Sequence, residues 1–85
     1  MQFERIGGII IRRSRLDITI EILNIAMHGA KKTQIVYGAN INSTIANGYI
    51  SMLKEKELIE QRDRIFRTTD KGREYKEIAS ELQLR

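Results

Sequence analysis

The chain has no cysteine and no proline, and only one histidine among its 85 residues. Without cysteine there can be no disulfide, thiolate metal site or cysteine nucleophile, and a single histidine leaves no zinc-ligand spacing. The lack of cysteine also agrees with a reducing interior. No apolar run approaches the roughly 18 residues that span a bilayer, and the N-terminus lacks the basic, apolar, small-residue order of a secretory signal. A cytoplasmic location and no membrane partner are therefore expected. A phosphate-cradling glycine loop is missing too, since Gly7-Gly8 alone is too weak a signal, and no Ser-His-acid order has a suitable context. Glu55 and Glu57, like Glu74, Glu77 and Glu81, have the spacing of a solvated helix face. The expectation is a protein that is not an enzyme, with no catalytic residue, no cofactor, no metal and no small-molecule ligand.

A chain this short makes one domain and buries only roughly 60–65% of its unfolded surface, so self-association is the natural extra source of stability. Fifteen Lys and Arg against eleven Asp and Glu give a net charge of +4 and a pI near 9.7. That balance permits a polyanionic partner without requiring one. The charge is uneven: residues 1–32 carry six basic and three acidic side chains, residues 33–60 two and three, and residues 61–85 seven and five. Two positive ends flank a neutral middle.

That middle, Thr33 to Ile59, reads as a short helix, a tight turn and a longer helix running into an apolar pair. Asn42 is placed to cap the longer helix, which then begins at Ser43, with Ile41 and Ala46 at hydrophobic-staple positions. At about 100° per residue, Ile45, Ala46, Tyr49, Ile50, Met52 and Leu53 share one broad arc, and Ser43, Thr44, Asn47, Ser51 and Lys54 share the other. Thr33 is placed to cap the short helix, Ile35 and Val36 supply its apolar contacts, and Gly38-Ala39-Asn40 makes the turn, Gly and Asn both tolerating positive φ.

Before this unit, residues 1–11 read as an arm or an edge strand ending in Ile9-Ile10-Ile11. Arg12, Arg13 and Arg15 sit where a helix dipole disfavours cations, which points to an external anion. Ser14 caps a first helix expected to reach His28, with Gly29 just beyond. Leu16, Ile20, Leu23 and Met27 fall in one arc of it; Ile18, Ile22 and Ile25 fall nearly opposite. A helix apolar on both sides is covered on both sides, here by the N-terminal isoleucines or by a second copy, and the reading favours a dimer interface. His28 is read as a helix-end residue facing the last carbonyls. Lys31 and Lys32 precede the short helix, whose N-terminus suits a phosphate.

After the longer helix, Glu57 occupies the position where a left-handed glycine is usual. Leu58 to Arg62 and Ile65 to Thr68 read as a hairpin turning at Asp63-Arg64, with Arg62, Arg64 and Arg67 making its tip basic. Thr69 caps a last helix with Asp70 in its first turn. Tyr75, Ile78, Ala79 and Leu82 form a narrow stripe along it, suited to packing on its own domain or on a second chain.

The segments RRSRLDITIEILNIA, GAKKTQIVYGANIN and LIEQRDRIFRTTDKGREY together resemble the archaeal winged helix-turn-helix domains of small chromatin-associated proteins and archaellum-type transcription regulators. The resemblance covers about residues 12–78. It implies a mainly α fold with a small β-hairpin: a winged helix-turn-helix core over residues 12–69 and a C-terminal helix over 70–85 that dimerises. The implied function is double-stranded DNA binding by a homodimeric, nucleoid-associated regulator or chromatin protein. Carried over, the recognition helix is Asn42 to Lys56 and the wing Arg62 to Arg67. On the recognition helix the DNA-binding residues would be Ser43, Thr44, Asn47 and Ser51, with Thr44, Asn47 and Ser51 facing the major groove and Ser43 at a phosphate; backbone contacts would fall to Arg12, Arg13, Arg15, Lys31, Lys32, Arg62, Arg64 and Arg67. The dimer interface would use Ile18, Ile22, Ile25, Tyr75, Ile78 and Leu82. The chain departs from relatives by placing Thr44, Ile45, Asn47 and Gly48 where longer basic side chains are common. A winged helix that binds only protein is the competing reading, because the recognition helix is neutral.

Overall fold

A computed structural model describes residues 3–6 and 9–83, with side chains from Arg13 to Gln83. The N-terminal strands β1 (Phe3–Ile6) and β2 (Ile9–Arg12) pair with each other antiparallel, Phe3 opposite Arg12 and Ile6 opposite Ile9. They form a separate two-stranded sheet and do not extend the wing. Gly7-Gly8 and the last two residues, Leu84 and Arg85, lie outside the described residues.

Helix α1 (Arg15–Ile25) starts at Ser14, whose Oγ accepts from the Asp17 N–H at 3.1 Å while the Asp17 carboxylate accepts from the Ser14 N–H at 3.0 Å. Asp17 also accepts from the Gln83 amide, which ties the start of α1 to the end of the last helix. The Ser14 backbone N–H, then the Gln83 side chain, hold the Asp17 carboxyl below its ordinary value. The helix stops at Ile25, three residues before the expected His28. Its C-cap carbonyl, Ala26 O, accepts instead from Gly29 N at 3.1 Å and from Thr68 N at 2.9 Å. Gly29 takes a φ of 96°, as a residue beyond a helix end should.

Strand β3 (Ala30–Lys31) leads into α2 (Lys32–Gly38), so Lys31, not Thr33, is the capping residue. Its N–H donates to Gln34 Oε1 at 2.9 Å. Helix α3 (Ser43–Glu55) starts where expected, with Asn42 Oδ1 accepting from Ile45 N at 2.8 Å. Both α2 and α3 end in the same motif. Asn40 and Glu57 adopt φ values of 54° and 61°, and Ile41 N and Leu58 N return to Val36 O and Leu53 O. Gly38 sits against α1: a Cβ there would stand 2.7 Å from Ile25 Cδ1, the flexible end of a side chain that would have to shift to admit it.

Strands β4 (Ile59–Arg62) and β5 (Ile65–Thr68) form the hairpin, turning through Asp63 at φ 56°, and β5 also pairs with β3. The sheet order is β3-β5-β4. Helix α4 (Asp70–Gln83) follows. Thr69 Oγ1 accepts from Gly72 N at 3.0 Å and donates to Glu57 O at 2.7 Å, joining the start of α4 to the end of α3. A Cβ on Gly72 would lie 2.1 Å from Leu58 O, so α4 can seat there only on glycine.

The core lies between α1, α2, α3 and the inner face of the sheet. Ile22, Leu23, Ile35 and Leu53 are its largest fully buried side chains, and Ala26, Ala39 and Ala46 let the helices approach closely. Thr68 Oγ1 is buried there and donates to Leu23 O at 2.6 Å. The second face of α1 is covered by α4, which carries the buried Ala79. No helix among the described residues is long and apolar enough to cross a membrane.

Candidate nucleic-acid interface

The face of α3 that turns away from the core carries short polar side chains. Ala46, Ile50 and Leu53 are buried, and Ser43, Thr44, Asn47 and Ser51 are all exposed. Asn47, Ser51 and Lys54 follow one another at helical spacing along one edge of this face. Lys54 Nζ donates to Gln61 Oε1 of β4 at 2.8 Å, which sets the wing beside that edge. Gln61 Nε2 donates in turn to Asp63 O at 2.8 Å and stiffens the hairpin tip. Lys54, which shares the polar arc of α3 but was not among the expected contact residues, is thus the link between helix and wing.

The basic residues expected at the interface fall into separate groups. Arg62 and Arg64 are exposed at the wing, Arg64 in the turn itself. Arg67 is exposed on the outer face of β5, opposite Glu60 and over Gly29, away from the tip. Lys31 is exposed on β3, paired across the sheet with Ile65, and Lys32 is half-buried at the start of α2.

At the other edge of α3, Arg13 and Arg15 border Thr44 and Gly48. The expectation of a phosphate contact from Arg13 gives way: the residue is 6% exposed and its Nη2 is held by Glu21 Oε2 at 2.8 Å. A guanidinium so enclosed is already neutralised inside the protein. Arg15 remains exposed. Arg12 closes β2, and its side chain lies outside those described.

The expected dimer surface divides in the same way. Ile18 and Ile22 are 7% and 0% exposed within the domain's own core, and Ile25 is half-buried against that core, so they leave little surface for a second chain. Tyr75 is half-buried against the same core. Ile78 and Leu82, one turn apart on α4, are 61% and 54% exposed.

Sequence reasoning also passed over Tyr37, which is 83% exposed on α2. The available signal was its place one residue after the apolar pair Ile35-Val36, which turns it off the buried arc.

A helix-turn-helix followed by a β-hairpin beside the second helix defines the winged helix class, and a winged helix-turn-helix family model matches residues 12–84. The chain belongs to that family. It is also similar to a solved structure, that of Sso10a-2, a DNA-binding protein from Sulfolobus solfataricus, with 26% sequence identity and a TM-score of 0.75. The similarity covers 82% of this chain and 78% of that one. No curated protein sequence matches the chain.

Proposed function

We propose that the chain binds double-stranded DNA as a homodimer, acting in the cytoplasm as a nucleoid-associated transcriptional regulator or chromatin protein of the archaeal type. It is a binding protein in this reading, not an enzyme. The observation that carries the reading is the neutral, short-chained face of α3 bordered on one side by the Arg62–Arg64 wing and on the other by Arg15. Short polar groups fit a major groove, and flanking cations suit the phosphates on either side of it. The DNA-binding character of the similar Sulfolobus protein supports the same reading.

Within this reading Asn47 is the group for a bidentate adenine contact, with Thr44, Ser43 and Ser51 beside it. Arg64 reaches the flanking backbone or minor groove, Arg62, Lys31 and Lys32 contribute to the positive border, and Arg67 adds only general charge. Ile78 and Leu82 supply the apolar contact of a dimer.

Fluorescence anisotropy with a panel of duplexes tests the assignment. Arg64→Ala is expected to weaken binding about equally across sequences and to reduce the salt slope by about 1, whereas Asn47→Ala costs about 1–3 kcal/mol on preferred sites only. Equal affinity of all variants for all duplexes would sink the assignment and favour the protein-binding reading.

A further inference from the structure

An open groove of about 480 Å³ runs between the start of α1 and the flank of α3 that faces away from the wing. Ile18 and Ile41 form one side, and Ile45, Tyr49 and Met52 form the other. These last three are only half-buried, although they sit on the apolar arc of an otherwise well-buried helix. Their spacing makes a continuous apolar strip of roughly 10 Å, given the helical rise of about 1.5 Å per residue. Arg13 and Arg15 also line it, and among the described residues no carboxylate does. Glu21 fixes Arg13 in place, so Arg15 is the exposed cation at the mouth.

The DNA reading uses Arg15 and Thr44 at the rim of this groove but not its apolar lining, and the dimer contact lies elsewhere. Ile45, Tyr49 and Met52 lie on the apolar arc of α3, off the polar face assigned to bases, and phosphates gain nothing from them; Ile78 and Leu82 belong to a different groove, shared with Leu58 and Lys71. Its volume falls within the range of small-molecule sites, which pair an apolar lining with a few convergent polar groups. An apolar cleft with a cationic rim selects an apolar body carrying one negative charge.

We propose that the groove between the start of α1 and the Ile45–Tyr49–Met52 flank of α3 binds an amphiphilic carboxylate of medium acyl-chain size, its head group on Arg15. No local pattern marks such a site, because its walls come from two helices far apart along the chain.

The test is titration of the isotope-labelled full chain with decanoate below its micelle-forming concentration, followed by amide chemical shifts. Saturable shifts are expected at Ile45, Gly48, Tyr49 and Met52. Affinity should fall about fourfold for each methylene removed from the acid. Decanol should bind about fivefold more weakly than decanoate, the worth of one exposed charge pair. Arg15→Ala, at an exposed position that leaves the core untouched, should erase that acid-over-alcohol preference. Absence of saturable shifts in the groove, or an unchanged preference in Arg15→Ala, overturns the proposal. So do groove shifts that follow protein concentration alone, because they would give the groove to a second copy.

Discussion

Helices α1 and α4 lie against each other, and both carry apolar residues, yet they use them differently. Helix α1 is apolar nearly all round and every large apolar group on it is at least half-buried, one side against α2 and β5, the other against α4. Helix α4 is strongly two-sided, charged on most of its surface, but Ile78 and Leu82 stay exposed on its narrow stripe. The clearer amphipathic pattern thus belongs to the helix with the less complete cover. Periodicity says that a face wants covering; it does not say what covers it.

The contrast can be broken at α1 with the largest effect. Leu23→Ala, at a fully buried side chain, should cost about 2–5 kcal/mol, read from chemical denaturation. A loss below about 1 kcal/mol would mean that the α1 core is far looser than its burial implies.

Next comes the seat of α4. Gly72→Ala forces a methyl group to within 2.1 Å of a backbone carbonyl, which cannot yield as a flexible side chain does. A loss of about 1–3 kcal/mol or more is expected. Little change would show that the start of α4 can lift off Leu58 without cost, and the cover that α4 gives would then be loosely anchored at that end.

Asp17 links the two helices, and its carboxyl is depressed from an ordinary 3.8, first by the Ser14 N–H and then by Gln83. A depressed folded value means that its contribution is fully present above the ordinary value and is lost as pH falls through the folded one. Stability should therefore decline as pH drops below about 4, and Asp17→Asn, which costs about 0.5–1 kcal/mol at neutral pH, should flatten that part of the decline. Identical pH profiles for the two proteins would remove Asp17 from the account.

The smallest effect on folding is expected at the exposed stripe. Ile78→Ser with Leu82→Ser should change the stability of the single domain by no more than about 0.5 kcal/mol per site. Light scattering should nevertheless record a halved mass if these residues join two copies. An unchanged dimeric mass would move the interface elsewhere.

Local chemistry was legible in the sequence. Ser14, Asn42 and Thr69 cap their helices as their side chains suggest, because each bond closes within three residues. Glu57 adopts the left-handed backbone inferred from the helix end, and the hairpin turns at Asp63-Arg64. The winged helix class followed from three segments read together, and the family match agrees with it.

What escaped depends on partners distant along the chain. The end of α1 is set by Thr68 N, more than 40 residues later, and the role of Gly38 is set by Ile25 on another helix. Arg13 looked like a phosphate ligand until its ion pair with Glu21 was seen, since it lies outside the helix that carries Glu21 and no helical spacing relates them. The dimer reading of Ile18 and Ile22 failed because the sequence could not show that α4 folds back over the opposite side of α1 and leaves them to the internal core.

The central claim is that the neutral face of α3 and its cationic borders engage duplex DNA. Binding of the purified chain to mixed-sequence duplex, followed by anisotropy at several salt concentrations, tests it most directly. The account predicts dissociation constants of about 1 μM or tighter at low salt, with log K falling linearly and steeply against log salt as phosphate counterions are released. No binding at low salt, or binding indifferent to salt, would contradict it.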